Sequence, residues 1–242
     1  MFWIAARPLG AQSRSELPPS YLDGFVGIVF PIQNEEFFQQ YQKLGSATRS
    51  FAPAVIAGGT TVIEISPGWW VGVSVSYHEI RLREFHQQVI VQNDSLTLFR
   101  TFWEDLAFKV TQAAGRLEWS PHLQQFRTHL GAQLGIASVK SFWYEGVSSP
   151  FAQLRYPGGI RLSDEALVPA LKIFAQVALG FDRVFSSRSW LHALLIEAAY
   201  SYLPLKSAVF RNFPPQSPLA SARSVRLNLG GLSLSIGVRL RF

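Results

Sequence analysis

Apolar and polar residues alternate with period two through much of this chain, as they do where successive side chains leave a strand on opposite faces. Residues 232–242, LSLSIGVRLRF, put Leu232, Leu234, Ile236, Val238, Leu240 and Phe242 on one face and Ser233, Ser235, Gly237, Arg239 and Arg241 on the other. Residues 123–139 alternate as cleanly, with Phe126, Leu130, Ala132, Leu134 and Ile136 opposing Arg127, His129, Gly131, Gln133 and Gly135. In 69–85 the apolar set is Trp69, Val71, Val73, Val75 and Tyr77; in 166–182 it is Leu167, Leu171, Ile173, Val177, Leu179 and Phe181. Together with 22–32, 54–66, 95–118, 190–203 and 220–242, these segments predict about eight strands. Apolar parity changes along 95–118, and again between Leu229 and Leu232. At the second change a bulge is expected at Gly230-Gly231, because glycine tolerates the backbone a bulge requires.

Two kinds of connection separate the segments. Short breaks occur at Ile65-Ser66-Pro67-Gly68-Trp69, at Trp119-Ser120-Pro121-His122 and between Phe185 and Trp190. Each places Ser and turn formers beside a Trp. Residues 33–53, 140–165 and 203–219 are longer and read as loops. One competing pattern runs through 163–203. Ser163-Asp164-Glu165 resembles a helix N-cap, 191–199 is rich in helix formers, and Pro169 fits poorly inside a strand, since it cannot donate to the ladder. Alternation continuing to Phe181 favours strands.

Composition narrows the class. Of 242 residues, 48% are hydrophobic and 14% aromatic. Yet no run approaches the roughly 18 apolar residues of a membrane helix. Without cysteine there is neither a disulfide framework nor a thiolate metal site. The net charge of +6 comes from Lys and Arg scattered singly, so a nucleic-acid partner is not expected. Basic groups facing anionic lipid headgroups account for it. At the N-terminus, Phe2 to Ala6 and then Pro8 to Gln12 read either as the end of a truncated secretory leader cut after Ala11 or as an ordinary N-terminal segment. That apolar run is shorter than the roughly 7–15 residues of a leader's core.

The ending carries a resemblance. Ser235, Gly237, Leu240 and Phe242 fall as polar residue, x, Gly, x, x, bulky apolar, x, terminal Phe, which resembles the C-terminal assembly signal of Gram-negative outer-membrane β-barrels. Leu240 stands where that family prefers an aromatic residue. The chain therefore resembles the small, eight-stranded OmpA/OmpX type. The resemblance implies an all-β fold: one closed, antiparallel, up-and-down transmembrane barrel with short periplasmic turns and long extracellular loops. It implies a bacterial outer-membrane location and an N-terminal segment 1–20 preceding a barrel 21–242. Implied partners are outer-membrane lipid, lipopolysaccharide and the barrel-assembly machinery; no cofactor and no metal are implied. The expected role is structural, or surface interaction through loops, with passage of small solutes disfavoured by the narrow lumen of an eight-stranded barrel.

Inward parity gathers Arg127, His129, Lys172, Gln176, Glu197 and Arg239 as a lumen polar network, because a carboxylate in a filled lumen needs a cation. Candidate chemistry is thin. None of His78, His86, His122, His129 and His192 shows a metal-ligand spacing, and catalysis is not expected. Two rivals remain. A lipid-A-modifying enzyme would bring a Ser, such as Ser95, to His78-Glu79 or His86 at the outer rim. A soluble lipocalin-like barrel binding an apolar ligand would turn Leu234, Ile236 and Val238 inward.

Overall fold

A computed structural model describes residues 19–32, 34–42, 49–93, 96–121, 127–148, 160–181, 190–206 and 226–241. The elements are β1 (Ser20–Pro31), α1 (Glu35–Gln42), β2 (Ala54–Ser66), β3 (Trp69–Asn93), β4 (Leu96–Trp119), β5 (Arg127–Ser148), β6 (Ile160–Gly180), β7 (Leu191–Tyr202), β8 (Pro204–Lys206), β9 (Arg226–Asn228) and β10 (Gly231–Arg241). Neighbours pair antiparallel in the order β1-β10-β7-β6-β5-β4-β3-β2, and β1 also pairs with β2, so eight strands close into a barrel. Closure leaves no open edge within the ring.

The faces of the lower barrel are inverted relative to a soluble protein. Val26, Ile28, Val73, Val75, Leu134, Ile136, Leu171, Ile173, Leu234 and Ile236 point outward and are exposed. Asp23, Thr60, Ser74, Arg116, Glu118, Gln133, Lys172, Glu197 and Arg239 point inward and are buried. Leu234, Ile236 and Val238 therefore lie outside and Arg239 inside, which rules out the lipocalin arrangement. Trp69, Trp119 and Trp190 are exposed toward the turn end of this belt, and Phe30, Tyr77, Tyr200 and Tyr202 toward the other. Aromatic side chains at both edges of an apolar band are suited to its two water interfaces.

Four strands outrun the belt. β3, β4, β5 and β6 are 25, 24, 22 and 21 residues long, whereas β1, β2, β7 and β10 have 12, 13, 12 and 11. The extra length forms a wall above one side of the barrel, and its faces have ordinary soluble patterning. Ile80, Leu82, Leu106, Phe108, Val139, Trp143 and Val168 point inward; Arg81, Arg83, Lys140 and Glu165 point out. The parity change in 95–118 is this inversion, since β4 runs through it as one strand. The loop expected over 140–165 is corrected for the same reason: β5 continues to Ser148 and β6 begins at Ile160.

Residues 163–203 are strands, not a helical hairpin. Pro169 is outward on β6, beyond the last β6–β7 pair at Leu171–Tyr202, where among the described residues that flank of the strand carries no ladder to a barrel neighbour. The parity change near the C-terminus is a strand break: Leu229 is buried inward, pairing resumes at Gly231, and Leu232 points out. The first short turn is Pro67-Gly68, with Gly68 at φ 80°, the conformation a type II turn demands of its second central residue. His122, 182–189, 207–225, Phe242 and the expected leader within 1–18 lie outside the described residues.

Candidate functional site

The lumen holds two stacked layers. The lower is polar and closely filled. Arg239 of β10 makes a two-pronged ion pair with Asp23 of β1, Nε–Oδ1 2.8 Å and Nη2–Oδ2 2.7 Å. It also lies 4.0 Å from Glu118 Oε2 and 3.4 Å from both Gln176 Oε1 and His129 Nε2. Glu118 is also bonded through Oε1 by Arg116 on its own strand, and His129 Nδ1 lies 3.1 Å from its Oε2. Glu197 of β7 receives Lys172 Nζ at 2.6 Å and Arg116 Nη1 at 3.0 Å. Three acids and three permanent cations thus neutralise one another, which is the condition under which buried charge is tolerable.

Aromatic rings line the cations. Arg116 stacks 3.7 Å from the Phe174 ring centroid, Arg239 lies 5.2 Å from Tyr21, and Lys172 lies 5.6 Å from Phe25. These are cation–π distances. Gly131 makes room: a Cβ there would collide with the Phe174 ring. The gap left among Asp23, Thr60, Arg116, Gln176, Glu197 and Ser235 is about 10 Å³. One water needs roughly 10–15 Å³. Turnward of this layer the lumen opens into a vestibule of about 490 Å³, lined by Tyr21, Trp70, Arg127, His129, His192 and Arg239 among others.

The upper layer is an apolar stopper. Phe37 and Phe38 of α1, with Phe51, pack in one core with Ile80, Leu106, Phe108, Val139, Trp143, Leu203, Leu205, Leu227 and Leu229. Phe37 stacks on Phe51 at 5.5 Å, and Phe51 meets Phe108 edge-on at 5.9 Å. Asn34, just before the helix, ties it to β9: its Oδ1 accepts the Asn228 N–H at 2.6 Å and its Nδ2 donates to the Asn228 carbonyl at 3.1 Å. The expected loop 33–53 therefore contains a helix that closes the barrel.

Of the residues expected in the lumen network, His129, Lys172, Gln176, Glu197 and Arg239 are buried together. Gln176 sits on the rung of Glu197. Arg127 does not join them. It is the first residue of β5, one inward position turnward of His129, and it is exposed at the vestibule, 2.9 Å from His192. Asp23, Arg116 and Glu118 complete the network and were not anticipated. Asp23 was visible as a lone charge of inward parity, while Arg116 and Glu118 lay in the segment whose apolar parity changes. At the proposed assembly signal, Ser235 and Gly237 are buried inward and Leu240 lies on the outward face. The rim triad is not assembled around His78: its side chain is buried in the lumen and adjacent Glu79 points to the opposite face. Ser95 and the His86 side chain lie outside the described residues.

An apolar belt around a charge-filled lumen, on a ring of strands each paired on both sides, makes this a membrane-spanning β-barrel. No family model matches the chain, and no curated protein matches it. Among solved structures the chain is similar to Ail, the attachment invasion locus protein of Yersinia pestis, in complex with the heparin analogue sucrose octasulfate. Identity is 15% over 93% of this chain and 99% of that one, with a TM-score of 0.41. A second Ail structure gives 15% identity, 93% and 99% coverage and a TM-score of 0.37. Neisserial surface protein A gives 13% identity, 92% and 97% coverage and a TM-score of 0.45.

Proposed function

We propose that the chain is a non-conducting barrel of the Gram-negative outer membrane, with a structural envelope role and surface interactions made by its projecting wall. The observation that carries this reading is the doubly closed lumen, a neutralised ion network below an aromatic stopper. Such a lumen does not favour solute passage. The wall supports a surface role: β3 from Glu79 onward has no β2 partner, and β6 before Leu171 has no β7 partner, among the described residues. Unpaired strand flanks offer backbone donors and acceptors to an extended peptide. Assembly is assigned to Ser235, Gly237, Leu240 and Phe242 acting as a signal to the barrel-assembly machinery, with β10 closing the ring against β1.

Expression in a Gram-negative host tests the reading. The full chain should appear in the outer membrane as a heat-modifiable band, and in planar bilayers it should give no stable channel steps. Deleting Phe242 should leave protease-sensitive, unassembled protein in the periplasm. Normal assembly after that deletion overturns the signal; steady open-channel current overturns the sealed lumen.

A further inference from the structure

Toward the turn end, the inward side chains of the barrel change size. Where β6 and β7 meet they are Ala178, Gly180 and Ala193, with Gly180 and Ala193 on one rung. Further round the ring, β1 and β3 present Tyr21 and Trp70, both buried. Small residues on one side and rings on the other leave the vestibule of about 490 Å³, a volume typical of small-molecule sites. The ion network forms its floor, and the gap within that network is only about 10 Å³, so the way in is from the turn end.

Three rings make one wall of this space. Tyr21 stacks on His192 at 4.9 Å and meets Trp70 at 5.4 Å. The negative face of an aromatic ring attracts weakly positive hydrogens, such as the C–H groups on the flat side of a pyranose. Arg127 of β5 lines the same space and donates from Nη1 to His192 Nε2 at 2.9 Å. A guanidinium is a planar fork of donors that matches a carboxylate. Arg241 pairs with Tyr21, which puts it on the same inward face, and it is exposed. The cation at the floor is engaged already, since Arg239 holds Asp23.

The lining also discriminates among anions. Glu64 of β2 accepts the Gly68 N–H through Oε1 at 3.0 Å. Its second oxygen and the Ser120 hydroxyl are acceptors suited to sugar hydroxyls. The Glu64 charge opposes an anion of two or more charges, such as phosphate, more than it opposes a single carboxylate.

We propose that the vestibule binds a sugar acid, a pyranose carrying one carboxylate, either free or at the end of a glycan. Arg127 takes the carboxylate, and the Tyr21, Trp70 and His192 wall lies along the ring. This goes beyond the envelope role, whose surface contacts are at the opposite end of the barrel.

The full chain, folded in detergent and isotope-labelled at tryptophan, is titrated with D-glucuronate, D-glucose, benzoate and inorganic phosphate. The indole N–H shift of Trp70 reads occupancy. Glucuronate should bind at least tenfold tighter than the other three. Methyl β-D-glucuronide separates the two sources: equal binding assigns a glycan end, and a tenfold loss assigns the free acid. Arg127→Gln should lose the preference for glucuronate over glucose. Ala193→Phe, which fills the space and keeps Arg127, should abolish binding of both, while Lys206→Gln, on β8, should change neither. Unchanged glucuronate binding in Arg127→Gln overturns the site, and because Arg127 is exposed at a strand end this variant decides the matter even where Ala193→Phe does not fold. Equal affinity of the wild type for glucose, benzoate or phosphate overturns the sugar acid. Heat modifiability is scored on every sample: a wild type that never shows it sinks the barrel reading and the vestibule with it, whereas a shifted band without glucuronate binding sinks the vestibule site alone.

Discussion

Asp23 and Arg239 occupy one rung of the seam where the first barrel strand meets the last, and their side chains close a two-pronged ion pair inside the lumen. The ring is thus joined by charge as well as by backbone bonds. Asp23→Ala leaves the Arg239 guanidinium buried with Glu118 at 4.0 Å as its nearest remaining carboxylate. The expected loss is about 3–5 kcal/mol, typical of breaking one side of a buried pair. Asp23→Leu with Arg239→Leu should lose less than Asp23→Ala alone, because no charge is stranded. Denaturant unfolding in detergent, monitored by heat modifiability, measures both, and a double variant as unstable as Asp23→Ala or more so would refute the coupling.

Glu197 carries two cations, and its partners do not carry it equally. Removing its charge by Glu197→Gln strands Lys172 and takes from Arg116 one of its two carboxylates, leaving it Glu118. Lys172→Met leaves Glu197 with Arg116. The order of stability should therefore be wild type, then Lys172→Met, then Glu197→Gln, with the double variant recovering part of the Glu197→Gln loss. The same unfolding measurement ranks them; Lys172→Met as damaging as Glu197→Gln would contradict the shared pairing.

The lower barrel was legible in the alternation because lipid outside and ions inside divide the residue types cleanly, as at Ile236 against Arg239 or Leu134 against Gln133. The wall was not. Above the belt, water lies outside and the stopper inside, so Ile80 and Leu82 share the parity of Ser74 and Ser76. A strand that crosses both regimes, such as β4, looks broken when it is continuous. That inversion also hid Arg116 and Glu118, whose parity is shared with Leu106 and Phe108 on the same strand. Helix α1 escaped notice because its eight residues, EEFFQQYQ, are too few for a periodic signal and are held by tertiary packing of Phe37 and Phe38.

Acid should loosen the wall before the belt. Partial burial of Asp105 pushes its carboxyl up, but hydrogen bonds and charge from Arg81 and Arg83 outweigh this and hold it below the ordinary carboxylate value. A depressed carboxyl contributes stability above its unfolded value and loses it as pH falls through the folded one. Amide protection across 79–85 and 103–109, corrected for intrinsic exchange, should accordingly fall at strongly acidic pH. Asp105→Asn should show the loosened state already at neutral pH and little further acid response. An acid response equal to wild type in Asp105→Asn would assign it to another group.

Leu134 and Leu167 are almost equally exposed, at 70% and 72%, but differ in depth. Leu134 shares a rung with Val73, Gly115 and Leu171, midway between the Trp69 and Tyr77 rungs. Leu167 shares the Ser138 rung at the upper edge, directly below Lys140 and Glu165. In a bilayer, Arg at the middle costs about 2–4 kcal/mol and near the interface about 0–1. Leu134→Arg should therefore lose far more stability than Leu167→Arg when the barrel is unfolded from lipid vesicles. In water the two exposed sites would be equivalent, since neither substitution disturbs a packed neighbour. Equal losses from vesicles would place both residues in the same medium and overturn the depth assigned to the belt, whereas a gap of about 2 kcal/mol or more would fix the upper membrane boundary between the two rungs.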